Sequence, residues 1–103
     1  MTISTHVRYT VRAEYADQNK EHIRRVIQEI KALDRHDIHY SIFTEDDGKT
    51  FHHWGMFATQ EARNVFVSLE SFKAYQAALH ASNLEVPPAS TNLTLVGSTV
   101  KLS

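Results

Sequence analysis

Apolar and polar side chains alternate from His6 to Tyr15. Val7, Tyr9, Val11 and Ala13 fall on one face of an extended chain, and Arg8, Thr10, Arg12 and Glu14 fall on the other. A period of two carried by β-branched and aromatic residues predicts a strand with one apolar face. Residues 16–20 are polar and predict a turn, with Asp17 or Asn19 as candidate N-cap for a helix. Ile23, Val26, Ile27, Ile30 and Leu33 then recur at spacings of three and four, opposite Lys20, Glu21, Arg24, Arg25, Gln28 and Lys31. That pattern is an amphipathic helix with one buried stripe. Asp34 to Asp37 breaks it. Ile38–Phe43 and Phe51–Phe57 read as two further strands, joined through Glu45-Asp46-Asp47-Gly48-Lys49. Gly48 can take the positive φ of a hairpin, as either a two-residue turn or a three-residue loop with a bulge. The two choices put different third-strand residues beside Tyr40 and Ile42.

Thr59 is an expected N-cap, followed by an apolar stripe of Ala62, Val65, Phe66, Leu69, Phe72, Tyr75 and Leu79. Ser68 and Ser71 are candidate points of division into two shorter helices. Ser82 to Thr91, with Pro87-Pro88, predicts an extended connection, and Asn92–Val96 a fourth short strand ended or bulged by Gly97. The order is β-α-β-β-α-β. It predicts an α+β, ferredoxin-like fold: a four-stranded antiparallel sheet with two helices on one face. No segment remains to cover the second face, where Trp54, Met56 and either Ile42 or Phe43 must partly lie. Aromatic surface of that extent marks an interface or a ligand cavity, and a second copy packed face to face would cover it.

The 103 residues fit one domain, residues 1–103. Twelve acidic side chains balance eleven basic ones, which argues against a nucleic-acid surface. The absence of cysteine excludes a disulfide framework, a thiolate metal site and a cysteine nucleophile. No apolar run is long enough to span a membrane, and the N-terminal residues lack the pattern of a secretory signal, so a cytoplasmic location is expected. Seven histidines are the unusual feature, at positions 6, 22, 36, 39, 52, 53 and 80. They do not converge into a metal site. His52 and His53 are adjacent on a strand and point to opposite faces. His36-x-x-His39 would need a helix where the pattern reads strand, and zinc requires three or four convergent ligands. No metal is expected.

The segment Phe51-His52-His53-Trp54-Gly55-Met56-Phe57, leading into Ala58-Thr59-Gln60-Glu61-Ala62, carries a family resemblance, together with Ser71-Phe72-Lys73-Ala74-Tyr75. With the element order, it resembles the dimeric α/β-barrel superfamily, most closely the antibiotic-biosynthesis-monooxygenase-like proteins, over residues 6 to 97. Phe51 and Trp54 match the early apolar positions of the family strand, and Thr59, Glu61 and Ala62 match its helix start. The family's glutamate position is Gly55 here, its tryptophan position is Phe57, and a helix histidine is Phe66. The packing positions are kept while the polar ones are replaced. The resemblance implies a homodimer whose two sheets form a barrel, with a pocket between sheet and helices in each protomer.

The resemblance also implies a candidate activity, cofactor-independent oxygenation of a phenol- or quinol-like aromatic molecule. Such chemistry requires an apolar cavity, an aromatic wall and a base with a pKa near neutrality, which histidine supplies. His53 or His52 is the candidate base. Trp54 and Tyr40 are candidate walls, with His39, Phe66 and Phe72 as further substrate-binding candidates. The alternative is a non-catalytic binding or oligomerisation module, favoured by Gly55, Phe57 and Phe66. Haem binding is a weaker alternative, since it would need a histidine ligand, which the usual helix position lacks, leaving His80 as a poor substitute. Arg8 and Arg12 share a strand face and could hold an anion or form salt bridges.

Overall fold

A computed structural model describes residues 2–102. Strand β1 (Ile3–Thr10) leads through a 3₁₀ turn (Ala13–Tyr15) into helix α1 (Ala16–Ala32). The hairpin β2 (Ile38–Thr44) and β3 (Thr50–Phe57) comes next, then α2 (Gln60–Val67), α3 (Glu70–Ala81) and β4 (Val86–Leu93). The strands form one antiparallel sheet in the order β2-β3-β1-β4. This is the expected ferredoxin-like βαββαβ fold, with the second helix divided in two. No helix among the described residues is long and apolar enough to cross a membrane.

The core lies between the helices and one sheet face. Tyr9, Phe51 and Phe57 rise from the sheet to meet Val26 of α1, Ala62 and Phe66 of α2, and Tyr75 and Leu79 of α3. Each large apolar side chain buried there contributes about 1.5–3 kcal/mol. Glu29 fastens α1 to α3: its carboxylate accepts from the Ser71 amide at 3.0 Å and from the Ser71 hydroxyl at 2.5 Å. The division between α2 and α3 falls at Ser68–Leu69, and Ser68 Oγ donates to the Val65 carbonyl. Thr59 caps α2 as expected, accepting from the Ala62 amide at 3.1 Å.

Four boundaries differ from the sequence expectation. First, β1 begins at Ile3 and stops at Thr10, opposite Thr50, where β3 begins. Second, α1 starts at Ala16, so residues 16–20 are helix, and neither Asp17 nor Asn19 is the cap. Asn19 is fully buried and its amide turns inward to Tyr9. Third, the hairpin is neither of the two expected turns. Glu45 N–H bonds the Thr50 carbonyl, and the loop of residues 46–49 folds back with Gly48 N–H donating to Glu45 and Gly48 at φ 72°. Asp47 holds the loop by accepting from the Thr50 hydroxyl and from the amides of Lys49 and Thr50, which lowers its pKa to about 2. Fourth, β4 runs over Val86–Leu93, so Pro87 and Pro88 lie inside a strand. The pairing shifts between Arg8↔Ala89 and Thr10↔Val86, which leaves both prolines opposite Tyr9 in a bulge. An edge strand tolerates proline at such a bulge because no ladder hydrogen bond is required of it.

Candidate functional site

Strand parity and register build the site. Ile42 and Val7 flank His53 directly across the ladders, and Tyr40 pairs with Gly55. All face the helices. Tyr9, paired with Phe51, and Tyr40 are therefore diagonal neighbours of His53, within reach of long aromatic side chains. Tyr75 descends from α3 and Asn19 from α1 to complete the cluster.

The hydrogen bonds in this cluster fix its protons. Tyr9 Oη accepts from the Asn19 amide at 2.9 Å and from the Tyr75 hydroxyl at 2.8 Å. With both acceptor directions filled, the Tyr9 hydrogen goes to His53 Nε2, 2.8 Å away. Tyr75 Oη stands 3.2 Å from the same nitrogen. A neutral imidazole has one N–H, so it must be at Nδ1, donating to Tyr40 Oη at 2.7 Å. The Tyr40 hydroxyl hydrogen is then left for whatever enters the cavity. Burial keeps His53 neutral, lowering its pKa to about 3, with smaller effects from His6 and His52. Burial likewise raises the Tyr9 phenol to about 12 and pushes Tyr40 and Tyr75 upward. All three tyrosines stay protonated at neutral pH.

A cavity of about 320 Å³ adjoins this cluster, between the sheet and helices α2 and α3. Tyr40, Phe57, Phe66 and Phe72 wall it, with Phe66 at ring-centroid distances of 4.6 Å from Tyr40 and 4.4 Å from Phe72. A cavity of ~150 Å³ holds a benzene ring, so this one takes a fused two-ring molecule. Gly55 shapes the wall. A Cβ there would stand 3.1 Å from the Phe57 ring and 3.2 Å from Tyr40 Cδ1. A side chain at Gly55 would require the Phe57 and Tyr40 rings to give by a few tenths of an ångström, so glycine lets both rings keep this packing.

Of the candidates read from the sequence, His53, Tyr40, Phe66 and Phe72 meet at the cavity. His52 and Trp54 do not line it, because as neighbours of His53 they point to the opposite sheet face. There His6 Nε2 lies 2.9 Å from His52 Nδ1, His52 Nε2 lies 2.7 Å from Glu45, and Arg8 donates to the same carboxylate at 3.1 Å. These contacts hold the Glu45 carboxyl below its ordinary range. The Trp54 ring covers His6 at 4.1 Å. His39 is exposed on edge strand β2, beside Lys31 and Asp34, and His80 reaches the cavity at the end of α3. Arg12 pairs with Glu14 rather than joining Arg8. The sequence pattern places Tyr9 and Tyr75 in apolar stripes and does not single out Arg63. The available signal is chemical: a tyrosine hydroxyl in a buried stripe needs a partner, and His53 is within reach of both.

No protein-family model matches the sequence, and no curated protein matches it significantly. Solved structures do match. The structure of Rv0793 from Mycobacterium tuberculosis aligns with a TM-score of 0.79 at 15% identity, over 96% of this chain and 99% of that one. An antibiotic biosynthesis monooxygenase aligns with a TM-score of 0.76 at 12% identity, over 94% and 100%. A variant of SnoaB, a cofactor-independent oxygenase from Streptomyces nogalater, aligns with a TM-score of 0.71 at 12% identity, over 97% and 98%. Over nearly its whole length, the chain has the ferredoxin-like fold that these solved structures share, an antibiotic biosynthesis monooxygenase among them.

Proposed function

We propose that the cavity binds a phenol- or quinol-like aromatic molecule in its deprotonated form and that the protein oxygenates it without a cofactor. The observation that carries this reading is the Tyr40 hydroxyl, which accepts from His53 Nδ1 and is left to donate toward an aromatic-walled cavity. A phenolate oxygen seated there accepts a charge-assisted hydrogen bond in a site poor in water, where such bonds are strongest. The electron-rich anion then supplies an electron to O₂, and the aromatic walls contributed by Phe57, Phe66 and Phe72 keep the resulting radical pair from water. His53 acts behind Tyr40 as the group that polarises it. His52, on the other face, takes no direct part. The description of SnoaB as a cofactor-independent oxygenase supports the assignment at the level of fold.

The working form in this proposal is a homodimer packed through the open sheet faces. Trp54 is 43% exposed and Phe43 57% exposed on that side, a surface that water tolerates poorly. A second reading is a binding module without turnover, favoured by Gly55, Phe57 and Phe66 where the family resemblance implies polar residues. Oxygen uptake with a panel of dihydroxynaphthalenes, in the presence of a metal chelator, separates the two. The proposal expects uptake above buffer and a ~100-fold lower rate in Tyr40→Phe, the usual effect of removing one oxyanion donor. Binding of the panel with no uptake by the wild type would contradict turnover and leave the module.

A further inference from the structure

The chain has six arginines, and five of them pair with carboxylates: Arg8 with Glu45, Arg12 with Glu14, Arg24 and Arg25 with Glu21, and Arg35 with Asp37 and Glu61. Arg63 has no ion-pair or side-chain hydrogen-bond partner among the described residues, and it lines the cavity. Its place on α2 is set by helical spacing. Arg63, Phe66 and Val67 stand at i, i+3 and i+4, so they share the face turned to the cavity. No aspartate or glutamate lines that cavity, whereas Gln76 and His80 of α3, Thr5 of β1 and Asn92 of β4 do.

Tyr40, Thr5 and Asn92 lie in one row across the sheet through Gly55, two residues along β3 from His53. Phe57 lies two residues further on and leads within a few residues into α2, which carries Arg63. The lining thus combines aromatic rings and tyrosine hydroxyls with one unpaired guanidinium and neutral hydrogen-bonding side chains. A half-buried cation facing a cavity without a counter-charge calls for an anion from the ligand.

We infer that the ligand is an aromatic carboxylate, its ring hydroxyl at Tyr40 and its carboxylate on Arg63. The guanidinium fork suits two parallel bonds to a carboxylate, and Gln76 and Asn92 are further donors in the cavity lining. This inference rests on the reading of the cavity as an aromatic-binding site, and it adds the ligand's charge.

Calorimetric titration with a hydroxynaphthoic acid and with the naphthol lacking its carboxylate tests the assignment. The wild type is expected to bind the acid at least about tenfold more tightly, the size of one good charge-assisted contact. Arg63→Gln is expected to remove that advantage and leave naphthol affinity unchanged, which also shows that the variant is folded. Arg63→Lys is expected to keep part of it. If the wild type binds both compounds equally, or if Arg63→Gln weakens both alike, the carboxylate assignment is overturned while the aromatic site stands. Binding of neither compound would overturn both.

Discussion

Replacing His53 with leucine is expected to cost the fold ~3–5 kcal/mol, a large share of the 5–15 kcal/mol that typically holds a domain together. His53 is 4% exposed and accepts or donates bonds to Tyr9 and Tyr40, with Tyr75 close by. Leucine fills the volume but leaves the Tyr9 hydroxyl without an acceptor and Tyr40 Oη without its donor, and each such loss costs ~1–3 kcal/mol. His53→Gln, which keeps an acceptor and a donor, is expected to lose less than half as much. Urea unfolding of the three proteins at pH 7.5 measures this (a buffer choice, about one unit above the ordinary histidine pKa). Equal stability of His53→Leu and the wild type would show that the cluster does not support the fold.

The same residue makes stability depend on pH. In the unfolded chain His53 titrates near 6.5, and in the fold its pKa is lowered to about 3. Between these values the unfolded state takes up a proton that the folded state refuses, so stability falls as pH drops below 6.5, approaching ~1.4 kcal/mol per unit. Above 6.5 the residue is neutral in both states and contributes no slope. His6, whose pKa burial also lowers, acts in the same direction, so the His53→Gln comparison isolates the effect. The carboxylates held below their ordinary range, Glu14, Glu29, Asp37, Glu45 and Asp47, lose their contribution only at lower pH.

Placing glutamates at both Phe43 and Trp54 is expected to raise the dimer dissociation constant by ~100-fold or more, since buried aromatic anchors commonly contribute over 2 kcal/mol each. Phe43 lies opposite His52, and Trp54 opposite His6, on the face away from the helices. New carboxylates there would face their copies across the proposed two-fold contact and repel. Sedimentation at micromolar concentration is expected to give twice the 11.8 kDa chain mass for the wild type and a single chain for the variant. A monomeric wild type would contradict the dimer.

The fold is legible where one local rule governs each element. Alternation in β1, three-and-four spacing in α1 and Gly48 in the turn all lead to the architecture observed. The exception is β4, because Pro87-Pro88 breaks structure locally while an edge position and a bulge opposite Tyr9 accommodate it. These are properties of the sheet, not of the segment. The site is legible in part for a similar reason. Parity divides His52 from His53, but choosing the cavity-facing one requires the hairpin register, and the loop of residues 46–49 sets that register by pairing Ile42 with His53. Once His53 faces inward, Trp54 faces outward. Tyr9, Tyr75 and Asn19 come from β1, α3 and α1, so only tertiary structure brings Tyr9 and Tyr75 to one imidazole and Asn19 to the Tyr9 hydroxyl.

In the proposed function, Tyr40, polarised by His53, stabilises a phenolate in the cavity. The absorption spectrum of a bound hydroxyaromatic probe under anaerobic conditions reads that charge directly, with the probe's solution pKa about one unit above the buffer pH. A hydrogen bond to the charged form worth ~1.5–3 kcal/mol lowers that pKa by about one to two units. The phenolate band is expected to appear on binding to the wild type and to be absent when the probe is bound to Tyr40→Phe. A probe bound to the wild type with the spectrum of the neutral phenol would contradict the role given to Tyr40.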